Sequence, residues 1–549
     1  MIHVIDGSRH FESPSMRNVI KGYPDWVFNQ PLSRPGFRRT ASECTYFFLS
    51  SGSTGGTHGA ATLKGAVMSE PLIIQGGMGV AVSNWKLARA VSQAGQLGVV
   101  SGTAMENVLA RRLQKGDPDG AMRRALEHFP NPTIAGRILD RYYISGGKSE
   151  RDPFKNPPMY SLDPSRELLE LTVAANFAEV FLAKEGHEGL VGVNFLEKIQ
   201  LPTLPSLYGA LLAGVDYVLM GAGIPRAIPA ILDQLSVHQK VSLKLNVHDA
   251  SPEDPFHMTF DPKDIWTSPP APLKRPKFIA IVASEVLGIT LAKKSTGRVD
   301  GFVIEGPTAG GHNAPPRGPL RLSPKGEPVY GPKDQVDRAA FRKLGLPFWL
   351  AGSCADPQKL KEALAEGASG IQAGTVFAYC EESGLLDSLK RKVFEKVLRG
   401  KSEVFTDPVA SPTGFPFKVV RLEGTLSEPE ENAERTRVCD LGYLRTAYKR
   451  GDGSLGLRCP GEPVKTYLQK EGKLEETEGK KCICNGLMSS IGLGQTQKNG
   501  DQEKPLVTSG DDLSRVGLFL KGEKLSYSAA DVIRYLLSVI STPLSPMPA

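Results

Sequence analysis

From Pro71 onward the chain repeats one pattern: a short, almost continuous apolar run, then a segment whose apolar residues fall three and four apart. The runs read as strands buried on both faces, and the longer segments as amphipathic helices. Strands are predicted at 71–75 (PLIIQ), 96–102, 190–196, 216–221, 278–284, 301–306, 347–353 and 370–377. Helices are predicted at 84–94, 204–213, 225–235, 285–295, 334–344, 356–366 and 384–399. Strands without a polar face demand a parallel sheet covered by helices, and eight such units fit an α/β fold of the closed (β/α)8 TIM-barrel type.

Several stretches break the repeat. Residues 103–188 are long and helical and read as an insertion in a crossover, and the Pro-rich stretch 240–275 reads as a lid or surface insert. Residues 405–420 are expected to return as an irregular segment over the barrel mouth. Residues 1–67 mix Pro, Ser, Gly and Thr without sustained period and are expected to be a mostly disordered extension, with Met68 a second candidate start. The predicted organisation is therefore 1–67 as an N-terminal extension, 68–420 as the barrel with its two inserts, and 421–549 as a charged, turn-rich C-terminal extension.

Composition narrows the class. Of 549 residues 40% are hydrophobic and 23% charged, and the net charge of +7 is spread along the chain, so nothing points to nucleic acid. No apolar run approaches a membrane span and no signal sequence is evident, which makes a cytoplasmic enzyme the expectation. Seven cysteines argue against a disulfide scaffold. Four of them, Cys439, Cys459, Cys482 and Cys484, share the C-terminal region with spacing C-x19-C-x22-C-x-C, which leaves a tetrahedral zinc or reduced, partly buried thiols open.

The chemistry gathers at strand ends. In GFVIEGPTAGGHNAPPRGP (301–319) an apolar strand runs into Gly310 and Gly311, directly before His312. Glycines bring bare backbone close to a ligand, and an imidazole changes charge near neutrality. The other strand ends carry Gln75-Gly76-Gly77-Met78, Ser101-Gly102, Asn194, Gly221, Ser284, Gly352-Ser353 and Gly374-Thr375. Convergence on one rim indicates a bound cofactor, with phosphate after strands seven and eight. The stretch MGAGIPRAIPAIL (220–232) lacks the third glycine of a dinucleotide fingerprint and reads as an ordinary turn. The chain has no GxSxG elbow, P-loop or HExxH, which removes the simplest hydrolase, kinase and metalloprotease readings.

Taken together in this order, PLIIQGGMG, GVNFL, the AGGH of 309–312, LAGS and GIQAGTVF resemble the nitronate monooxygenase (2-nitropropane dioxygenase) family of FMN-dependent barrels. That family includes flavin enoyl-acyl-carrier-protein reductases and the trans-acting enoyl reductases of polyunsaturated fatty acid and polyketide synthases. The resemblance implies FMN over the barrel mouth, with Gly76, Gly77 and Met78 along the isoalloxazine and Asn194 nearby. It implies a phosphate held by Gly310, Gly311, Gly352, Ser353, Gly374 and Thr375, and His312 as the catalytic histidine. Glu305 stands where many members have Gln, and Ser353 where many have a second glycine. The first function implied is oxidation of a small alkyl nitronate with O2. The alternative is an NAD(P)H-dependent enoyl-thioester reductase serving an acyl carrier protein, with Arg317, Arg321 and Lys325 meeting a pantetheine phosphate or an acidic carrier.

Overall fold

The computed structural model describes residues 70–540, apart from 267, 269, 498, 521, 523 and 524. The expectations for residues 1–67 and Met68 lie outside the described residues. Eight strands, β1 (Ile73–Gln75), β2 (Gly98–Ser101), β3 (Val191–Leu196), β4 (Tyr217–Gly221), β5 (Lys277–Val282), β6 (Gly301–Glu305), β7 (Phe348–Ala351) and β8 (Gly370–Ala373), pair in parallel. Their order is β1-β8-β7-β6-β5-β4-β3-β2. A bridge from Ile74 to Leu97 joins the two ends of that order and closes the barrel.

Side-chain amides staple this last seam. Gln75 N–H donates to Leu97 O (3.0 Å), and Gln75 Oε1 accepts from Val99 N–H (3.0 Å). Gln96 Oε1 accepts from Ile73 N–H (2.9 Å). Within the strands the two-residue alternation is strict. Ile74, Val99, Leu219, Ile279, Val303 and Trp349 fill the barrel, whereas Ile73, Val100, Val218, Phe278, Phe302 and Leu350 face the helices. Both faces are thus apolar, which is why the strands read as continuous runs. By the same alternation Asn194 and Glu305 point inward at the upper ends of β3 and β6.

The predicted strands are all present, with one correction. Residues 370–377 are not one strand: β8 stops at Ala373, and Thr375–Ala378 form a helical turn. Val376 and Phe377 favour strands locally, but burying both completely under the barrel wall decides the outcome. Within 103–188, helix Arg166–Lys184 is the barrel crossover, and helices Met105–Gln114, Ala121–Glu127 and Pro132–Tyr142 pack as the insertion.

The stretch 240–275 does not act as a lid. Val241–Lys244 pairs antiparallel with His257–Phe260, and Val247–His248 pairs with Thr446–Lys449 of the C-terminal extension. It is a ledge that anchors the extension beside the barrel. The expected irregular return at 405–420 is instead a regular hairpin, β9 (Val404–Asp407) and β10 (Phe417–Val420), and it does cover the mouth. The extension is braced internally by the buried ion pair Arg435–Glu503 (2.7 Å) and tied to the rest of the chain by Arg111, whose guanidinium donates to Leu493 O (2.6 Å). Among the described residues no helix is long and apolar enough to cross a membrane.

Helix Trp85–Gln93 lies so close to β2 that a Cβ on Gly98 would stand 1.9 Å from Ala88 O. Gly98→Ala is expected to destabilise the fold by about 1–3 kcal/mol through overpacking. Gly136→Ala, in a helix where the new methyl meets nothing within 4 Å, is expected to stabilise by up to about 1 kcal/mol. Denaturant midpoints of both variants check the pair, and equal midpoints would contradict the packing described.

Candidate active site

A cavity of about 330 Å³ opens at the C-terminal ends of the strands, in the size range of ligand sites. The structure brings to its wall the catalytic and cofactor-binding residues that the resemblance implies, whereas Gln75, Gly102 and Ser284 of the predicted strand ends do not line it. Gly76, Gly77 and Met78 come from β1, Asn194 from β3, Gly310, Gly311 and His312 from the loop after β6, Gly352 and Ser353 from β7, and Gly374 and Thr375 from β8. Gly77 is required by close approach, since a Cβ there would lie 2.3 Å from that of Asn194. Gly221 and Gly223 of the 220–232 stretch also line the wall.

The loop after β6 is held in place by the hairpin. Lys418 N–H donates to Gly311 O and Asn313 N–H to Pro416 O, both at 2.9 Å, so residues 311–313 run as a short strand against β10. His312 Nε2 shares a hydrogen bond with Ser411 Oγ (2.8 Å), and its ring meets the edge of Phe417 at 4.8 Å. Burial pushes the imidazole well below its ordinary 6.5, and the nearby positive charge of Lys198 adds to the effect. His312 is neutral at pH 7. It can accept a proton or share a hydrogen bond, but it offers no fixed positive charge.

The wall carries polar atoms without partners. Lys198 Nζ, Asn313 Oδ1, Ser353 Oγ and Gln372 Oε1 are buried and bonded to nothing among the described residues. The backbone N–H groups of Ser353 and Gly374 likewise donate to no described residue. Such groups are costly unless something meets them. A phosphate fits the N–H set between β7 and β8, and the glycine-lined side at Gly76–Met78 fits the edge of a flat ring. Gly352 (φ +97°) and Ser353 (φ +49°) both adopt the left-handed conformation that suits glycine. Gly311 N–H is already taken by Thr508 Oγ1 (2.9 Å) and has no donor to spare.

Sequence reasoning missed two parts of this site. The first is charged: Lys198, just beyond β3, which lines the cavity near Glu305 and follows Glu197 in the chain. Burial pulls Lys198 down to about 7 and pushes Glu305 and Glu197 up to about 7, while their mutual attraction opposes those shifts. An adjacent Glu-Lys directly after a buried strand was the available signal. The second is the C-terminal segment 505–512, which threads across the mouth. Gly510 N–H donates to Thr375 Oγ1 (3.0 Å), Asp511 N–H to Thr308 O (3.0 Å), and Ser509 Oγ bonds Tyr379 Oη (2.9 Å). A Cβ on Gly310 would lie 2.8 Å from the Ser509 backbone, so this segment presses on the glycine loop. Asp512 also faces the cavity, its carboxyl raised by burial.

Cys439, Cys459, Cys482 and Cys484 gather around a separate small cavity, as free thiols. Among the described residues no group of three or more His, Cys, Asp or Glu is disposed to hold a metal. Burial pushes the Cys439 thiol up to about 12, and Cys459, Cys482 and Cys484 in the same direction.

Comparison with known proteins agrees with the sequence resemblance. Residues 270–410 match the family model described as nitronate monooxygenase. A probable nitronate monooxygenase of Bacillus subtilis is 37% identical over 97 residues, 18% of this chain and 26% of that protein. A (3aS,4S,5R,7aS)-5-hydroxy-7a-methyl-1-oxo-octahydro-1H-indene-4-carboxyl-CoA dehydrogenase of Mycobacterium tuberculosis is 31% identical over 138 residues, 25% of this chain and 34% of that protein. The chain thus spans about a quarter to a third of the length of the curated relatives it matches. FabK from Thermotoga maritima aligns with 86% of this chain and 93% of its own at 16% identity and a TM-score of 0.42. The chain resembles the nitronate monooxygenase family.

Because the folded chain refuses a proton that free histidine binds at 6.5, the unfolded state holds more protons below that pH, and stability falls as pH drops through it. Wild type is therefore expected to lose more stability than His312→Gln between about pH 7.5 and 5.5. Denaturant midpoints at the two pH values test this. A difference between the proteins that stays constant with pH would show that His312 is not held neutral.

Proposed function

We propose that the chain is a flavin-dependent oxidoreductase that binds FMN in the barrel mouth and oxidises small alkyl nitronates with O2. The observation that carries this reading is a neutral, buried imidazole set beside a cavity whose wall presents unpartnered backbone donors. The N–H groups of Ser353 and Gly374, with Ser353 Oγ, would hold the phosphate. Gly76, Gly77 and Met78 would pass along the ring, and Asn194 and Gln372 would meet its polar edge. When bound, the flavin supplies the two-electron acceptor and the means of reducing O2.

The chain's own contribution is placement and proton handling. His312, oriented by Ser411 Oγ and braced by Phe417, would accept a proton from the substrate or hold its oxygen through a hydrogen bond. The apolar walls from Val82, Leu385 and Phe417 exclude water around a small substrate. The name of the Bacillus subtilis relative supports the same activity.

A second reading, an NAD(P)H-dependent enoyl-thioester reductase acting on an acyl carrier protein, has one observation in its favour. Arg317 lines the cavity, and the same loop continues to exposed Leu320, Arg321, Leu322 and Lys325, a basic and apolar rim suited to a phosphate-bearing arm. The dehydrogenase name of the Mycobacterium tuberculosis relative, with its carboxyl-CoA substrate, points the same way.

Anaerobic reduction of the purified flavoprotein separates the two. Bleaching by a nitronate alone supports the first reading. Rapid bleaching by NADPH followed by turnover of a crotonyl thioester would overturn it. His312→Ala is expected to lower turnover by about 10²–10⁴-fold while retaining flavin. Parallel loss of flavin and activity would show that His312 serves the cofactor instead.

A further inference from the structure

Lys198 is the least explained group in the molecule. It follows β3 by two residues, lines the cavity, and has its Nζ buried 4.6 Å from the centroid of the Phe415 ring. Among the described residues that nitrogen has no hydrogen-bond partner and makes no ion pair. Removing an ammonium from water without a partner is expensive, and an aromatic face repays only part of the cost.

The surrounding groups show what is missing. Glu197 is already engaged, since its Oε1 accepts from Gln200 Nε2 (3.0 Å) and Asn246 Nδ2 (3.1 Å). Glu305 attracts Lys198 electrostatically but does not bond to it. His312 is neutral and bonded to Ser411. Arg317 is engaged elsewhere: its side chain donates to Ala283 O (3.2 Å) and stands 3.9 Å from Glu285. Lys198 is thus the basic group on this wall with a free valence, within electrostatic reach of the imidazole. A ligand that completes it must bring a negatively charged oxygen and be thin enough to lie against Phe415.

We propose that Lys198 Nζ is the oxyanion-binding group of this cavity, taking one oxygen of a small planar anion that rests on Phe415 next to His312. This deepens the proposed function and rests on it where the substrate is concerned, because a nitronate is such an anion whereas an enoyl thioester is uncharged. A charge-assisted hydrogen bond in a desolvated pocket supplies the recognition.

Inorganic nitrate, planar, anionic and of similar size to the nitronate head, is the probe. Its binding is followed by titration calorimetry on the protein as purified. Lys198→Met is expected to weaken nitrate binding about tenfold or more, and Lys198→Arg to restore most of it. KM for the nitronate should rise in step in the Met variant, with flavin content held. Should the Met variant fail to fold, Lys198→Gln, which keeps a polar tip, replaces it. Equal nitrate affinity in wild type and variant, no nitrate binding by wild type, or loss of flavin in step with the charge would each overturn the assignment. Lys198-dependent nitrate binding without nitronate oxidation would instead leave the assignment standing and refute the proposed activity.

Discussion

Two backbone hydrogen bonds, Lys418 N–H to Gly311 O and Asn313 N–H to Pro416 O, decide whether this molecule has a site at all. Once β6 ends at Glu305, the chain leaves the barrel and no sheet neighbour fixes its course. The hairpin supplies that neighbour, so the glycine loop and His312 gain the register of a strand without belonging to the sheet. The hairpin is held in turn from above. Val420 N–H donates to Val507 O (2.9 Å), and buried Lys418 reaches Asp511 (2.6 Å). Barrel, hairpin and C-terminal segment form one chain of support that ends at the imidazole.

Desolvation governs the chemistry of the cavity. It strips His312 of its proton and drives Lys198 and Glu305 towards their neutral forms, while attraction between the last two resists. A fixed histidine charge would suit an anion but remove the base. In the proposed site the tasks are divided, with proton exchange at the imidazole and charge at the lysine once an anion meets it. The Glu305 carboxyl, which makes no hydrogen bond among the described residues, lies close enough to Lys198 to adjust the balance.

What the sequence reveals follows from how far each signal reaches. The barrel strands are legible because both their faces are buried, which writes an unbroken apolar run, and the rim glycines because they cluster at strand ends. The helical turn at Thr375–Ala378 is illegible, since its residues favour a strand and only burial by distant segments overrules them. The β9–β10 hairpin hides behind its Pro-rich tip. Lys198 looks like a surface charge in a short window, its one local signal being the Glu-Lys pair directly after a buried strand, and the fold shows it facing inward. Segment 505–512 belongs to a charged tail whose local pattern says nothing of the barrel mouth, 130 or more residues upstream, which it closes. The pairing of Gly510 with Thr375 spans 135 residues.

That separation bears on how the molecule is made. On the ribosome the eight strands and the β9–β10 hairpin emerge long before Thr508, so a nascent barrel would have its histidine loop paired with β10 while one wall of the mouth is still missing. The barrel mouth is therefore completed by a segment distant in sequence, and an excised barrel would be a well-shaped vessel without a rim.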